Sequence, residues 1–265
     1  MPSDRALQDD VIRALADAPY RGSADWRRRE LADPDRVERY ARFLARHFYY
    51  ERIVHFFKYS RALARVTGRA PEAILKGPAF DALLPTLVLG SRETAAAVGR
   101  LVTAYVAAGR MPIPYLADLL RYEEAMMVVE AGARVWRDAD EAEGAGSPKG
   151  VPAGPRERYR PETVAGTVLL ELAYDLPAVL PKLLQPWTEV PQALERPTRL
   201  LVARSPHGRV AVARSDAGVA AVIERADGKR TLEELAAGAG LQVAELRQTL
   251  QGLVDLGAVR FSTGS

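Results

Sequence analysis

The 265-residue chain has no cysteine, only three histidines and no long hydrophobic run. Without cysteine it forms no disulfide bond, carries no thiol nucleophile and holds no zinc through thiolates. Its longest apolar runs fall well short of the roughly 20 residues that cross a bilayer. Residues 1–5 are polar and contain no hydrophobic signal core. We therefore expect a cytoplasmic globular protein of one or two domains, with no membrane partner.

The chain also lacks an excess of either charge, because its 37 basic residues are nearly balanced by 34 acidic ones. Most arginines lie close to Asp or Glu in the sequence, and the net charge of +3 is small. Such a balance permits nucleic-acid binding without requiring it.

The histidines offer little for chemistry. Glu51 precedes His55 by four residues, a spacing that places both on one helix face, and His47 lies in the same predicted helix. Two ligands do not make a metal site, and His207 lies in a predicted turn. The chain also lacks the P-loop, Rossmann, zinc-protease and nucleophile-elbow motifs. The sequence therefore predicts no self-sufficient active site and no metal in this chain.

Residues 34–132 predict an all-α domain with short connections. Asp33 and Pro34 begin a long helix that runs to Gly68. Its apolar stripe shifts phase at Tyr50, so either the helix breaks there or the segment is buried on more than one side. Further on, prolines and glycines divide 69–90 into short turns, and two more helices are predicted, from Ser91 to Gly109 and from Pro114 to Gly132.

Residues 138–161 differ in composition, since they are first acidic and then rich in glycine and proline. They predict a flexible linker. The domains are therefore expected to be residues 1–137, all-α, and residues 162–265, separated by this linker.

The C-terminal domain reads as strands followed by helices. One strand is predicted at 167–174, and a hairpin joins 200–204 to 210–214. Three helices follow, the second opened by a Thr231–Glu234 capping box, and 258–261 returns as a short strand. The expected fold class is α+β: a helical domain, then a small winged-helix-like domain with a three-stranded antiparallel sheet and three helices.

Peptide binding suits this last domain better than DNA binding. Its third helix, 243–256, sets Arg247 against Glu245 and Asp255 and would gain little against phosphates. The second hairpin strand, in contrast, is short and built of small residues, as suits a sheet edge. Such an edge binds an extended peptide through main-chain hydrogen bonds.

Two parts of the chain resemble known proteins. The hairpin followed by Ile223–Leu235 resembles the PqqD-like RiPP recognition element, which binds the leaders of ribosomally made, modified peptides. The segments Tyr49–Leu63, Leu84–Ser91 and Pro114–Glu123 resemble the helical domain of partner proteins of multinuclear non-haem iron-dependent oxidative enzymes (MNIOs). Together the resemblance covers residues 37–132 and 163–262.

The resemblance implies a non-catalytic subunit that forms a heterodimer with a TIM-barrel MNIO-type enzyme and presents a precursor peptide to it. The iron and its ligands would belong to that enzyme, and this chain would hold no cofactor. The implied peptide-binding residues are Arg209, Val210, Ala211, Val212, Ala213, Arg214, Leu246, Arg247 and Leu250. The implied partner-interface residues are His55, Phe56, Lys58, Tyr59, Tyr115, Arg121, Tyr122 and Glu123.

Two alternatives stay open. The first is a winged-helix transcriptional regulator whose helical domain senses an effector. The second is a metal-dependent enzyme that uses His47, Glu51 and His55.

Overall fold

A computed structural model describes residues 4–29, 33–132 and 159–263. They form two compact units. Unit 1 comprises the described residues up to Ala131 together with Val179–Gln192, and unit 2 comprises Gly132, 159–178 and 193–263. The α+β prediction is confirmed, because a helical region is followed by a three-stranded antiparallel sheet and helices. The predicted linker lies outside the described residues as far as residue 158.

In its described part, unit 1 is built of α-helices and of 3₁₀ turns at Pro71–Lys76 and Leu84–Thr86, and an isolated backbone bridge pairs Asp17 with Val88. Its helices up to Ala131 are α1 (Asp4–Ala16), α2 (Ala18–Arg21), α3 (Ala24–Arg27), α4 (Pro34–Phe56), α5 (Lys58–Ala62), α6 (Ala64–Thr67), α7 (Pro78–Leu83), α8 (Arg92–Ala107) and α9 (Leu116–Glu130).

Helix α4 begins where the sequence predicts. The Asp33 carboxylate accepts the Arg36 N–H at 2.8 Å, which satisfies one of the free donors of the first turn. The helix continues unbroken past Tyr50, so a break at that residue is the wrong alternative. The break comes seven residues later at Phe57, and both Phe56 and Phe57 are buried there.

At this break, a carboxyl group from a distant helix caps the first turn of α5. Phe57 precedes α5 and has no side-chain oxygen to accept the N–H groups of its first turn. Glu123 of α9 takes that role, and its Oε1 accepts the N–H groups of Tyr59 at 2.7 Å and Ser60 at 3.2 Å. Glu123 is fully buried. A contact across 64 residues therefore fixes the corner between α4 and α5.

Unit 2 contains the strands of the described chain. They are β1 (Tyr159–Thr163), β2 (Val168–Tyr174), β3 (Glu195–Arg204), β4 (Val210–Arg214) and β5 (Val259–Thr263). Helix α10 (Leu176–Leu183) follows β2 in the chain, and β4 is followed by α11 (Ala217–Arg225), α12 (Leu232–Ala239) and α13 (Val243–Leu256).

The sheets confirm the predicted hairpin and add one pairing that was not predicted. Strands β2, β3 and β4 form an antiparallel sheet in that order. The returning strand β5 pairs instead with β1 in a second sheet, where Pro161 stands opposite Phe261. Residues 159–161, which were expected at the end of the linker, belong to β1.

The core of unit 2 lies between the larger sheet and its three C-terminal helices. Leu201 and Ala203 of β3 pack in one cluster with Leu235 of α12 and Leu246 of α13. Gly257 ends α13 with φ of +81°, and a Cβ there would lie 2.2 Å from the Arg204 carbonyl oxygen. Only glycine allows this approach, which holds the end of α13 against the end of β3.

Within the described part of the chain, every helix is too short or too polar to cross a membrane.

Replacing Glu123 with glutamine should remove a pH dependence of stability. Burial raises the pKa of Glu123 from 4.5 to about 8, although hydrogen bonds from Ser60 and Tyr59 and the charge of Lys58 lower it. Between these two values the folded protein keeps a proton that the unfolded chain has released. The free energy of unfolding therefore falls as pH rises through this window, by up to about 1.4 kcal/mol per pH unit.

Urea denaturation at several pH values between 5 and 8 measures this slope. Glu123→Gln should flatten it, because the amide oxygen still accepts both N–H groups and the side chain no longer titrates. Glu124→Gln, one residue along α9 and less buried, is the matched control and should keep the wild-type slope. Identical slopes for all three proteins would show that Glu123 does not cause the pH dependence of stability.

Candidate functional site

Strand β4 lies at an edge of the larger sheet, as the sequence predicts. It pairs with β3 alone, in the register Leu201↔Ala213, Val202↔Val212 and Ala203↔Ala211. Two hydrogen bonds bracket the ladder. The Ser205 N–H donates to the Arg209 carbonyl at 2.8 Å, and the Ser215 N–H donates to the Arg199 carbonyl at 3.0 Å.

The alternation of an antiparallel ladder decides which backbone groups point outward. Residues 209 and 215 bond to β3, so Ala211 and Ala213 between them also turn their N–H and C=O groups toward β3. Val210, Val212 and Arg214 turn theirs away from it. In the part of the chain that the structure describes, these outward groups have no backbone partner. They form an open strand edge, the β4 edge.

The two faces of β4 differ. Ala211 and Ala213 stand opposite Ala203 and Leu201, share the face of the unit 2 core and are half-buried. Val212 is on the other face and is exposed. Small side chains on the core face leave the backbone of β4 accessible to an added strand.

One charge cluster fixes the end of β4. The buried Asp175 carboxylate, just after β2, accepts hydrogen bonds from Arg196 and from Arg214, the latter at 2.6 Å. Burial by itself would raise the pKa of Asp175, but the two guanidinium groups hold it below its ordinary value. Arg214 is therefore engaged within unit 2. Arg209, at the other end of β4, is exposed and makes no ion pair with a described residue.

The structure of α13 corrects the set of implied peptide-binding residues. Leu246 and Leu250 of α13 are completely buried in the unit 2 core, so their side chains do not line a peptide groove. The helical period that puts them inward places Arg247 toward the surface, where it is half-buried. Its Nε is buried and lacks a hydrogen-bond partner among the described residues.

The set of implied partner-interface residues is also corrected, because half of them are buried. Its members separate by exposure: His55, Lys58 and Arg121 are exposed and Tyr59 is half-buried, whereas Phe56, Tyr115, Tyr122 and Glu123 are buried. The buried four belong to the interior of unit 1. The Tyr115 hydroxyl, for example, donates to the Pro191 carbonyl at 2.7 Å. These four residues do not form a docking surface.

The residues of the metal-enzyme alternative lie exposed along α4. The His47 ring stacks on Phe43, with centroids 6.1 Å apart, and the His55 ring meets Phe56 edge-on at 4.7 Å. Over the described ranges, no three His, Asp or Glu side chains converge in an arrangement that could hold a metal ion.

Comparison with known proteins adds no further assignment. No family model matches the chain, and no curated protein matches its sequence. The candidate site therefore rests on its geometry: an open strand edge, small side chains beside it and arginines at its ends.

Proline substitutions should report the direction of each N–H group in β4. Val212→Pro removes an outward N–H that the ladder does not use, and proline is tolerated at such edge positions. Ala211→Pro removes an N–H bonded to β3 and leaves a carbonyl of β3 unpaired. It should therefore lower the free energy of unfolding by about 1–3 kcal/mol more than Val212→Pro does. Urea denaturation of both variants measures the difference. Equal losses would show that the alternation is assigned incorrectly.

Proposed function

We propose that this protein is a non-catalytic partner that binds the leader of a ribosomally made precursor peptide and presents it to an MNIO-type iron enzyme. The observation that carries the proposal is the β4 edge, with its outward backbone groups at Val210, Val212 and Arg214. The leader would add to the sheet as a fourth strand. The iron and its ligands belong, in this proposal, to the partner enzyme of the heterodimer.

The chemistry of the β4 edge suits a peptide whose sequence varies outside a short recognition segment. Main-chain hydrogen bonds hold any extended chain, so most of the affinity does not depend on the peptide's side chains. Selection then falls to the groups around the strand. Arg209 at one end and Arg247 on α13 favour a leader with carboxylates near these positions.

The transcriptional-regulator alternative is less well supported by α13. In a winged-helix DNA reader, the N-terminal part of this helix contacts bases and phosphates. Here the Glu245 carboxylate occupies that end and accepts the Gln242 N–H at 2.9 Å. Arg247 is the one basic residue of α13, against Glu245 and Asp255. A duplex placed against this helix would bring phosphates toward carboxylates, which is unfavourable.

Co-expression with an MNIO-type enzyme and a precursor peptide encoded beside this chain tests the proposal. We expect an iron-containing heterocomplex that changes the mass of the precursor. Salt-dependent binding of the purified protein to duplex DNA, with no affinity for the precursor, would instead favour the regulator.

Val212→Pro should weaken leader binding about tenfold, because it removes a main-chain donor from the β4 edge. Isothermal titration with the synthetic leader measures the affinity. Val212→Thr is the matched control, since it keeps the N–H and the branched shape and should bind like wild type. Circular dichroism checks that both variants fold. Unchanged affinity in the folded Val212→Pro protein would remove the β4 edge as the binding site.

A further inference from the structure

Helix α4 presents a row of aromatic side chains to solvent. Tyr40 is 52% exposed, Phe43 61% and Tyr50 43%, and His47 lies exposed between them. The spacings of three, four and three residues place all four on one helix face. The Tyr40 and Phe43 rings stack with centroids 6.2 Å apart, and Phe43 stacks on His47. We call these four residues the α4 stripe.

A groove lies beside the stripe, between α4 and α1. It has a volume of about 590 Å³. Its apolar lining consists of Val11, Leu15, Val37, Tyr40 and Phe43. Large apolar side chains with this exposure, gathered along one groove, mark a surface that another molecule covers.

The charges of this groove select the occupant. Among the described residues, the charged side chains that line it are Arg36 and Arg39, and both are exposed. The Arg39 guanidinium lies 3.9 Å from the Asp33 carboxylate, and no acidic side chain in the described part of the chain lines the groove. The neighbouring acids of α4, Asp35 and Glu38, line a different pocket, which includes Trp26. Glu38 is also bonded to Arg21 and Arg42. The groove therefore combines an apolar floor with a positive rim.

We propose that the α4 stripe and its groove bind an amphipathic helix of a partner protein that carries carboxylates along its flanks. The three–four–three spacing matches the a and d positions of a helix-packing seam, where a second helix lies nearly parallel to the first. Acidic flanks on the incoming helix would meet Arg36 and Arg39. A second copy of this chain fits less well, because it would bring further arginines to the rim. The proposal does not depend on peptide binding at the β4 edge.

The test uses a designed probe and the full-length protein. The probe is a fluorescein-labelled 21-residue helical peptide with leucine at positions a and d and glutamate at e and g. An otherwise identical peptide with lysine at e and g is its matched control. The like charges at e and g oppose pairing of either peptide with itself. Fluorescence anisotropy at low salt measures both affinities.

We expect the glutamate peptide to bind at least tenfold more tightly than the lysine peptide. Phe43→Ala should weaken its binding by about tenfold to thirtyfold, as for an aromatic residue at the centre of an interface. Met111→Ala, which shortens an exposed apolar side chain elsewhere in unit 1, should have no effect. The double variant Arg36→Glu with Arg39→Glu should reverse the preference between the peptides.

Three results of the peptide measurements would overturn the proposal. They are equal affinities for the two peptides, affinities insensitive to Phe43→Ala, and no binding of either peptide. A dimer in sedimentation analysis that Phe43→Ala dissociates would assign the stripe to a second copy of the chain and would also overturn it.

Discussion

Strand β3 is buried along four consecutive residues, Leu200–Ala203, and the organisation of unit 2 depends on this burial. Successive side chains of a strand point to opposite faces, so both faces of β3 are covered. Leu201 and Ala203 supply the sheet's central contribution to the core beneath α11, α12 and α13. The same strand holds β2 on one side and β4 on the other. The β4 edge is open because β3 satisfies only one side of β4.

Capping, turn and periodicity patterns in the sequence predicted most of the helices and strands of unit 2. The Thr231 hydroxyl accepts the Glu234 N–H at 3.1 Å, while the Glu234 carboxylate accepts the Thr231 N–H, which is the capping box expected from the sequence. The hairpin and α13 also appear where turn and periodicity signals place them. Strand β1 gave no such signal. It has five residues with a central proline, and its partner β5 lies about a hundred residues further along the chain.

The site residues that the sequence misplaced share one physical reason. Helical periodicity shows which residues lie on a common face, but not whether that face meets solvent or another element. The resemblance assigned Leu246 and Leu250 to a ligand and Glu123 to a partner, and periodicity could not test this, although all three are buried. The Glu123 contact depends on the break at Phe57, which no local pattern located. The position of β4 at an edge was predictable, since a hairpin's second strand of small residues suits one.

An open strand edge also affects the behaviour of the protein on its own. Unpaired N–H and C=O groups along a strand are a template for any extended chain, including a neighbouring copy, and uncontrolled growth of a sheet in this way leads to aggregation. Two properties of β4 oppose such growth: it is only five residues long, and arginines stand at both ends, Arg209 just before it and Arg214 as its last residue. Short, charged edges are how natural sheets remain soluble while leaving one side unpaired. The arginines around β4 thus oppose aggregation at this edge, whether or not a peptide binds there.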